Sequence, residues 1–333
     1  MKVAVIGAGA IGCTIGGYLA HAGEDVTFLG RADQVSALRK NGLAIDGVRG
    51  AMTIAVPAAE RLSERPDVIL LSVKTNDITE AALHIRTYDD GIPVVTMQNG
   101  VRSDELLSAL IGPEDIISSV VLFGSTYINP GSVVHNFEGD LVIGRPFGEN
   151  DECASRIAGV LSKALPTTLS DTIHSVHWMK LLLNLNNALP GIIGDSIQKT
   201  FRNVELSRIG IELIREGITA MDGAGIRPAP LPNFPVSRLR ELVSMPTTQS
   251  AGIFSSIMSS LSERPLYGSI LQSIMRGKKS EIDYLNGEIA ALGERSGRPA
   301  PLNLKAVELV HEVERSRRFY SPEQVIEQFN QRR

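Results

Sequence analysis

Gly7-Ala8-Gly9-Ala10-Ile11-Gly12 stands directly after the β-branched run Val3-Ala4-Val5-Ile6 and opens an apolar helical period. Glycines at this spacing between a strand and a helix suit a pyrophosphate. The first permits a tight turn, the second lets backbone approach the phosphates, and the third lets helix pack on strand. The helix start adds unpaired N–H groups for the anion. The next strand ends Phe28-Leu29-Gly30-Arg31, without a carboxylate at its tip to hold ribose hydroxyls and with a guanidinium suited to a 2′-phosphate. NADPH/NADP+ is therefore expected over NADH, although Asp33 follows two residues later. Cys13 falls in the first turn of the helix and is expected to be a small packing residue rather than a thiolate.

Further polar residues stand where a core does not ask for them. Lys74 follows the run Val68 to Val73, and Asn99-Gly100 follows Val94 to Gln98. Ligands of doubly wound sheets bind outside the carboxyl ends of strands, so Lys74 and Asn99 are expected beside cofactor and substrate. Downstream, Lys180, Asn184 and Asn187 share a helical segment from Thr172 to Leu189. At ~100° per residue Asn184 lies ~40° from Lys180, and Asn187 ~20° to its other side, which makes one polar stripe. Leu181, Leu182, Leu185 and Leu189 flank it with apolar surface, so the lysine is expected to be partly buried and its pKa lowered toward acid/base use. In a third cluster, Gly277 ends one helix and Ser280 caps the next with Asp283 as its capping-box partner, which places Glu281 in a first helical turn. His174 and His177 have no third ligand nearby, so no metal site is expected.

These residues need a scaffold of some size. A chain of 333 residues corresponds to about two domains. With 43% hydrophobic and 21% charged residues it can bury a core, and a net charge of -4 with scattered basic residues leaves no footprint for nucleic acid. No apolar run approaches the ~20 residues that cross a bilayer. The start lacks the pattern of a secretory signal, and two cysteines make no disulfide framework, so a cytoplasmic location is expected. Short β-branched runs at Lys2 to Ile6, Asp25 to Leu29, Val68 to Ser72 and Pro93 to Met97 alternate with helical periods, the signature of βαβ units. From Ile116 to Gly144 hairpin-like pieces are expected to extend the sheet, and beyond Asp171 helical periods dominate. The expected architecture is α/β: a Rossmann-type doubly wound parallel sheet over 1–170 for NADP, then an all-helical domain over 171–333 for substrate and catalysis. The four prolines of Arg227 to Pro235 mark a surface connection within the second domain.

In this order the pieces resemble the ketopantoate reductase (2-dehydropantoate 2-reductase) family over nearly the whole chain. Beyond the glycine fingerprint, the resemblance is carried by Val73-Lys74, Gln98-Asn99-Gly100, Trp178-x-Lys180-Leu181-x-x-Asn184, and Ser269-x-Leu271-Gln272 leading to Glu281-Ile282-Asp283-Tyr284-x-Asn286-Gly287. It implies a C-terminal domain like that of 6-phosphogluconate dehydrogenase and the reduction of 2-dehydropantoate to (R)-pantoate with NADPH, toward pantothenate and coenzyme A. By the same resemblance the catalytic residues are Lys180, the general acid, and Glu281, which binds the substrate hydroxyl, holds the lysine's environment and contacts the cofactor. Asn99, Asn184, Asn187 and Ser269 orient the keto acid, while Lys74 and Asn99 lie against the cofactor, whose 2′-phosphate meets Arg31. A cation beside the developing alkoxide is what hydride transfer to a ketone requires.

Three departures fall on the substrate side. The family's second asparagine, eight residues after the lysine, is Ala188, with Asn187 one position earlier; Ser273 replaces an aspartate; and Gly225 to Ser269 is longer than in short members. They keep open a paralogous reductase of another 2-keto or branched hydroxy acid, and a non-catalytic NADP sensor is a third reading. The sequence does not fix an oligomeric state, although long helices in the second half could serve a homodimer.

Overall fold

The computed structural model describes residues 1–87 and 91–331. They form two compact units, Met1–His174 and Ser175–Arg333.

The strands of the N-terminal unit are β1 (Lys2–Ile6), β2 (Asp25–Leu29), β3 (Leu43–Gly47), β4 (Met52–Ile54), β5 (Ala58–Ala59), β6 (Val68–Leu71), β7 (Val94–Thr96), β8 (Ile116–Val121), β9 (Gly124–Asn129), β10 (Ser132–Phe137), β11 (Leu141–Gly144) and β12 (Thr167–Leu169). Between them run α1 (Ala10–His21), α2 (Ala32–Asn41), α3 (Ile78–Ile85), α4 (Ser103–Ser108) and α5 (Glu152–Leu161). Eight strands form the main sheet in the order β12-β11-β8-β7-β6-β1-β2-β5. All neighbours from β5 to β8 are parallel, and β11 returns antiparallel to β8. Strand alternation sends Val3, Val5, Phe28 and Leu70 into one buried layer and Ala4, Ile6, Leu29 and Leu71 into another. With both faces covered, the strands need continuous apolar runs, which is how they are written. The order of connection reverses at β1 and β6, the position at which such sheets bind ligands.

The segment 116–144 departs from expectation. Only β8 and β11 join the main sheet; β9 and β10 pair with β3 and β4 in a second, four-stranded sheet of order β4-β3-β10-β9. This sheet closes on α1 through Thr14 Oγ1 and Ser125 Oγ, 2.8 Å apart, and through Tyr18 Oη and His135 Nδ1, also 2.8 Å apart.

The C-terminal unit is helical. It takes in most of α6 (Ile173–Asn184), then α7 (Ala188–Ile193), α8 (Ile197–Phe201), α9 (Val204–Gly223), α10 (Val236–Ser244), α11 (Thr247–Ser259), α12 (Ser269–Met275), α13 (Asn286–Arg295), α14 (Pro301–Ser316) and α15 (Pro322–Asn330). The long α9 starts cleanly because Asn203 Oδ1 accepts the N–H groups of Glu205 and Leu206. In the proline-rich connection, Leu231 and Phe234 bridge backbone to backbone around Asn233, whose φ is 60°. Among the described residues no helix is long and apolar enough to cross a membrane.

At the foot of α4 the buried Asp104 accepts hydroxyl hydrogen bonds from Thr96 and Ser118, each at 2.6 Å. Asp104→Ala takes the buried acceptor away from both hydroxyls and is expected to destabilise the N-terminal unit by about 1–3 kcal/mol. The measurement is its urea unfolding midpoint, and Asp104→Asn should retain part of the loss.

Candidate functional site

The three glycines after β1 do different work. Gly7 adopts φ +104°, and a Cβ on it would lie 2.7 Å from the Val73 backbone nitrogen, so the loop and the end of β6 touch without a side chain between them. A Cβ at Gly12 would overlap the Gly7 carbonyl oxygen and Ser72 Oγ, while one at Gly9 meets nothing within 4 Å. The helix therefore packs tightly at Gly12 and leaves open space at Gly9. Cys13 N donates to Gly9 O at 2.9 Å, so the first intrahelical bond closes beyond the loop and the amides of the first turn have no partner within the helix. This cradle fits a dinucleotide pyrophosphate. Cys13 itself is fully buried, which pushes its thiol up to about 12 and leaves it a packing residue.

Side-chain amides set the edges of this cradle. Gln34 donates to Ala8 O at 2.8 Å and accepts from Arg31 N at 3.2 Å, tying the loop to the end of β2. Arg31 is exposed and lies 3.7 Å from Asp33 Oδ1, so its guanidinium is accessible and the nearby carboxylate is already engaged with it. Gln98 Nε2 donates to both Leu71 O and Val73 O at 2.8 Å, bridging the carboxyl ends of β6 and β7. Lys74 and Asn99, both half-buried, sit one residue beyond these anchors, and Gly100 takes the positive φ expected of an Asn-Gly turn. Gln34 and Gln98 carry no weight in the sequence reading except as neighbours of other motifs; their signal was polar side chains that become buried at strand and helix ends.

In the C-terminal unit Lys180 lies on α6, half-buried. Burial brings its ammonium down from the ordinary 10.5 to about 8, with the Glu281 carboxylate opposing the fall. The continuous helix expected from Thr172 to Leu189 is not formed. After Asn184 the backbone tightens into a 3-10 turn over Leu185–Asn187 and then resumes as α7. Residues three apart eclipse in a 3-10 turn, so Asn187 stands in line with Asn184 instead of ~60° behind it. Their amides meet, Asn187 Nδ2 donating to Asn184 Oδ1 at 3.4 Å. Asn187 therefore lies on the Asn184 side of Lys180, not the opposite side, and Ala188 is fully buried. Asn187 also abuts the start of α12: a Cβ on Gly268 would come within 2.9 Å of its Oδ1, next to Ser269. Ser273 turns back along its helix, its Oγ donating to Ser269 O at 2.9 Å.

Glu281 is placed otherwise than by a capping box. It precedes a short 3-10 turn, Ile282–Tyr284, and the α-helix starts only at Asn286. Ser280 N donates to Glu314 Oε1 at 2.6 Å, and Asp283 pairs with His311 Nε2 at 2.8 Å, so neither closes the expected box. The residues on either side of Glu281, Ser280 and Asp283, are thus tied to α14. His174 is exposed and His177 buried, and among the described residues no group of three potential ligands converges on a metal.

A doubly wound sheet with a glycine cradle at its switch point, followed in the chain by a helical unit with a desolvated lysine, defines a nicotinamide-dinucleotide oxidoreductase. The chain belongs to the ketopantoate reductase family: ketopantoate reductase PanE/ApbA matches residues 3–147 and its C-terminal counterpart residues 172–314. It is 31% identical to the 2-dehydropantoate 2-reductase of Pyrococcus abyssi over 307 residues, 91% of this chain and 95% of the relative. The crystal structure of a PanE/ApbA family ketopantoate reductase from Ralstonia eutropha matches with a TM-score of 0.78 at 28% identity, covering 95% of this chain and 99% of that one. D-mandelate dehydrogenase, solved with NADH and anilino(oxo)acetate, shares the fold with a TM-score of 0.81 at 22% identity over 96% of this chain and 100% of its own.

The unequal space at the glycines gives a direct test. Gly12→Ala is expected to cost about 1–3 kcal/mol through overpacking, whereas Gly9→Ala should leave the thermal midpoint where it is. Differential scanning fluorimetry of the two variants without ligand checks both.

Proposed function

We propose that the protein reduces the ketone of 2-dehydropantoate to (R)-pantoate with NADPH, the N-terminal unit holding the cofactor and the C-terminal unit supplying the acid and the substrate contacts. The observation that carries this reading is Lys180, desolvated on α6 with the Glu281 carboxylate acting on it, in a chain whose curated relatives are 2-dehydropantoate 2-reductases. The bound nicotinamide supplies the hydride. Gly7 to Gly12 would cradle its pyrophosphate and Arg31 would pair with the 2′-phosphate, as the open space at Gly9 and the exposed guanidinium allow. Lys74 and Asn99 would border the nicotinamide and the keto acid from the strand ends.

Lys180 would donate its proton to the carbonyl oxygen as negative charge develops there. A pKa near 8 suits that task, because most of the lysine is protonated at neutral pH while its proton is more readily lost than that of an exposed lysine. Glu281 would keep the lysine charged until reaction and accept a hydrogen bond from the substrate hydroxyl. Asn184, Asn187 and Ser269 would orient the carboxylate and carbonyl, Asn187 from the position in line with Asn184. A second reading, a reductase of a different 2-keto acid, is favoured by one observation: position 188 is an apolar core alanine here, so the amide contact moves to Asn187.

Four outcomes follow for purified protein. kcat/KM for ketopantoate reduction should be flat below neutrality and fall tenfold per pH unit above about 8, where Lys180 loses its proton; Lys180→Ala should lower kcat by about 10²–10⁴ while NADPH still binds. Gly9→Ala should weaken NADPH binding at least tenfold in fluorescence titration with its fold intact. Arg31→Ala should reduce the preference for NADPH over NADH, measured as the ratio of their kcat/KM values. Faster turnover of another keto acid in a substrate panel would transfer the reaction to that acid, and tight NADPH binding with no turnover of any would leave only a sensor.

A further inference from the structure

The 3-10 turn between Asn184 and Ala188 has one cause in its own sequence: Pro190 has no N–H for the Asn186 carbonyl and its ring crowds that oxygen, so a continuous α-helix is interrupted here. A second hold on the turn comes from outside it. Leu185 O accepts the Ala188 amide that closes the turn and also accepts from Asn286 Nδ2 at 3.2 Å. The same Asn286 amide donates to Asn303 Oδ1 at 3.0 Å. Asn303 Nδ2 in turn donates to Leu213 O at 3.1 Å and to Glu216 Oε2 at 2.9 Å. Glu216 completes the chain by accepting the backbone amides of Leu302 and Asn303, both at 2.9 Å, at the start of α14. Asn286 and Asn303 are fully buried; the acceptors Leu185 O, Leu213 O and Glu216 fix which end of each amide donates, and Asn286 Oδ1 has no hydrogen-bond partner among the described residues.

We infer that Asn286, backed by Asn303 and Glu216, is a positioning residue for the substrate: it holds the Leu185 carbonyl in the geometry of the 3-10 turn and thereby keeps Asn187 in line with Asn184. In a regular helix Asn187 would sit ~60° around the axis from Asn184, still its neighbour; the tightened turn brings the two in line and recovers more than half of the ~100° by which an asparagine at 187 differs from one at 188. Asn286 touches neither reacting atoms nor cofactor, and its effect passes through Leu185 to Asn187. The inference rests on the proposed placement of the keto acid against Asn184 and Asn187.

The test is a double-mutant cycle on the full-length protein with ketopantoate and NADPH. Asn286→Leu should raise the KM for ketopantoate about tenfold and leave the KM for NADPH within about twofold, and Asn187→Ala alone should raise the ketopantoate KM similarly. In the Asn187→Ala background Asn286→Leu should then add less than about twofold, because the residue it positions is gone. Asn286→Ser, which shortens the side chain with less disturbance of packing, serves if the leucine variant does not fold. An unchanged ketopantoate KM in a folded Asn286 variant, or effects that multiply fully with Asn187→Ala, overturns the inference. Absence of ketopantoate turnover in the unaltered protein would instead strike at the proposed substrate, and the same cycle is then run with whichever keto acid of the panel is reduced.

Discussion

The close approach of the Gly7 backbone to the end of β6 is the contact on which the N-terminal unit is built. There is no side chain in that gap, and the distance is set by hydrogen bonds alone. Ser72 Oγ donates to Gly7 O at 2.7 Å, and Ser72 N donates to Ile6 O at 2.8 Å. From the far side Gln98 takes hold of Leu71 O and Val73 O, the two carbonyls flanking the same serine. The ends of β1, β6 and β7, already joined by backbone bonds, are thus tied further by one hydroxyl and one carboxamide. Everything that follows these ends in the chain, from the glycine loop to Lys74 and Asn99, inherits its position from that small set of bonds.

In the helical unit the governing constraint is the cost of keeping a charge out of water. Desolvation of Lys180 is only partly offset by Glu281, which must be held in place for the pairing to persist. Its segment is clamped at both sides. Glu314 receives the Ser280 amide and contacts His311 Nδ1 at 3.1 Å, while His311 Nε2 reaches Asp283. Burial tends to lower the His311 pKa, but the two carboxylates outweigh it and raise it, so the imidazolium forms a charged bridge between them more readily than a free histidine would. The lysine's environment accordingly extends beyond its own helix into α14.

The parts legible in the sequence are those whose physics is local. β1, β2, β6 and β7 announce themselves because strands covered on both faces must be apolar without interruption, and the glycine loop because each of its positions has a steric reason. Lys180 and Asn184 were legible as polar residues on an otherwise apolar helix. The sheet of β3, β4, β9 and β10 was not. Leu43–Gly47 and Met52–Ile54 are short and carry Asp46 and Thr53, and β3 finds its parallel partner only at Ser132–His135. The 3-10 turn had one local signal, Pro190 four residues after Asn186, while its other hold, the Asn286 side chain on the Leu185 carbonyl, comes from 101 positions away and leaves no local mark. Ser280 and Asp283 show the reverse error: their spacing matched a capping box, yet only Ser280 Oγ caps, accepting from Ile282 N at 3.4 Å, while Asp283 turns to His311.

The tightened turn also acts along the helix axis. Each 3-10 residue climbs about 2.0 Å where an α residue climbs about 1.5 Å, so three of them advance the chain by roughly 1.5 Å more than the uninterrupted helix would. The packed helix α7, with Leu189 and Ile192 fully enclosed, is displaced by that amount and turned by ~60° relative to α6. A segment of three residues thereby behaves as a screw joint between two helices, setting both the pitch and the angle at which α7 continues from α6.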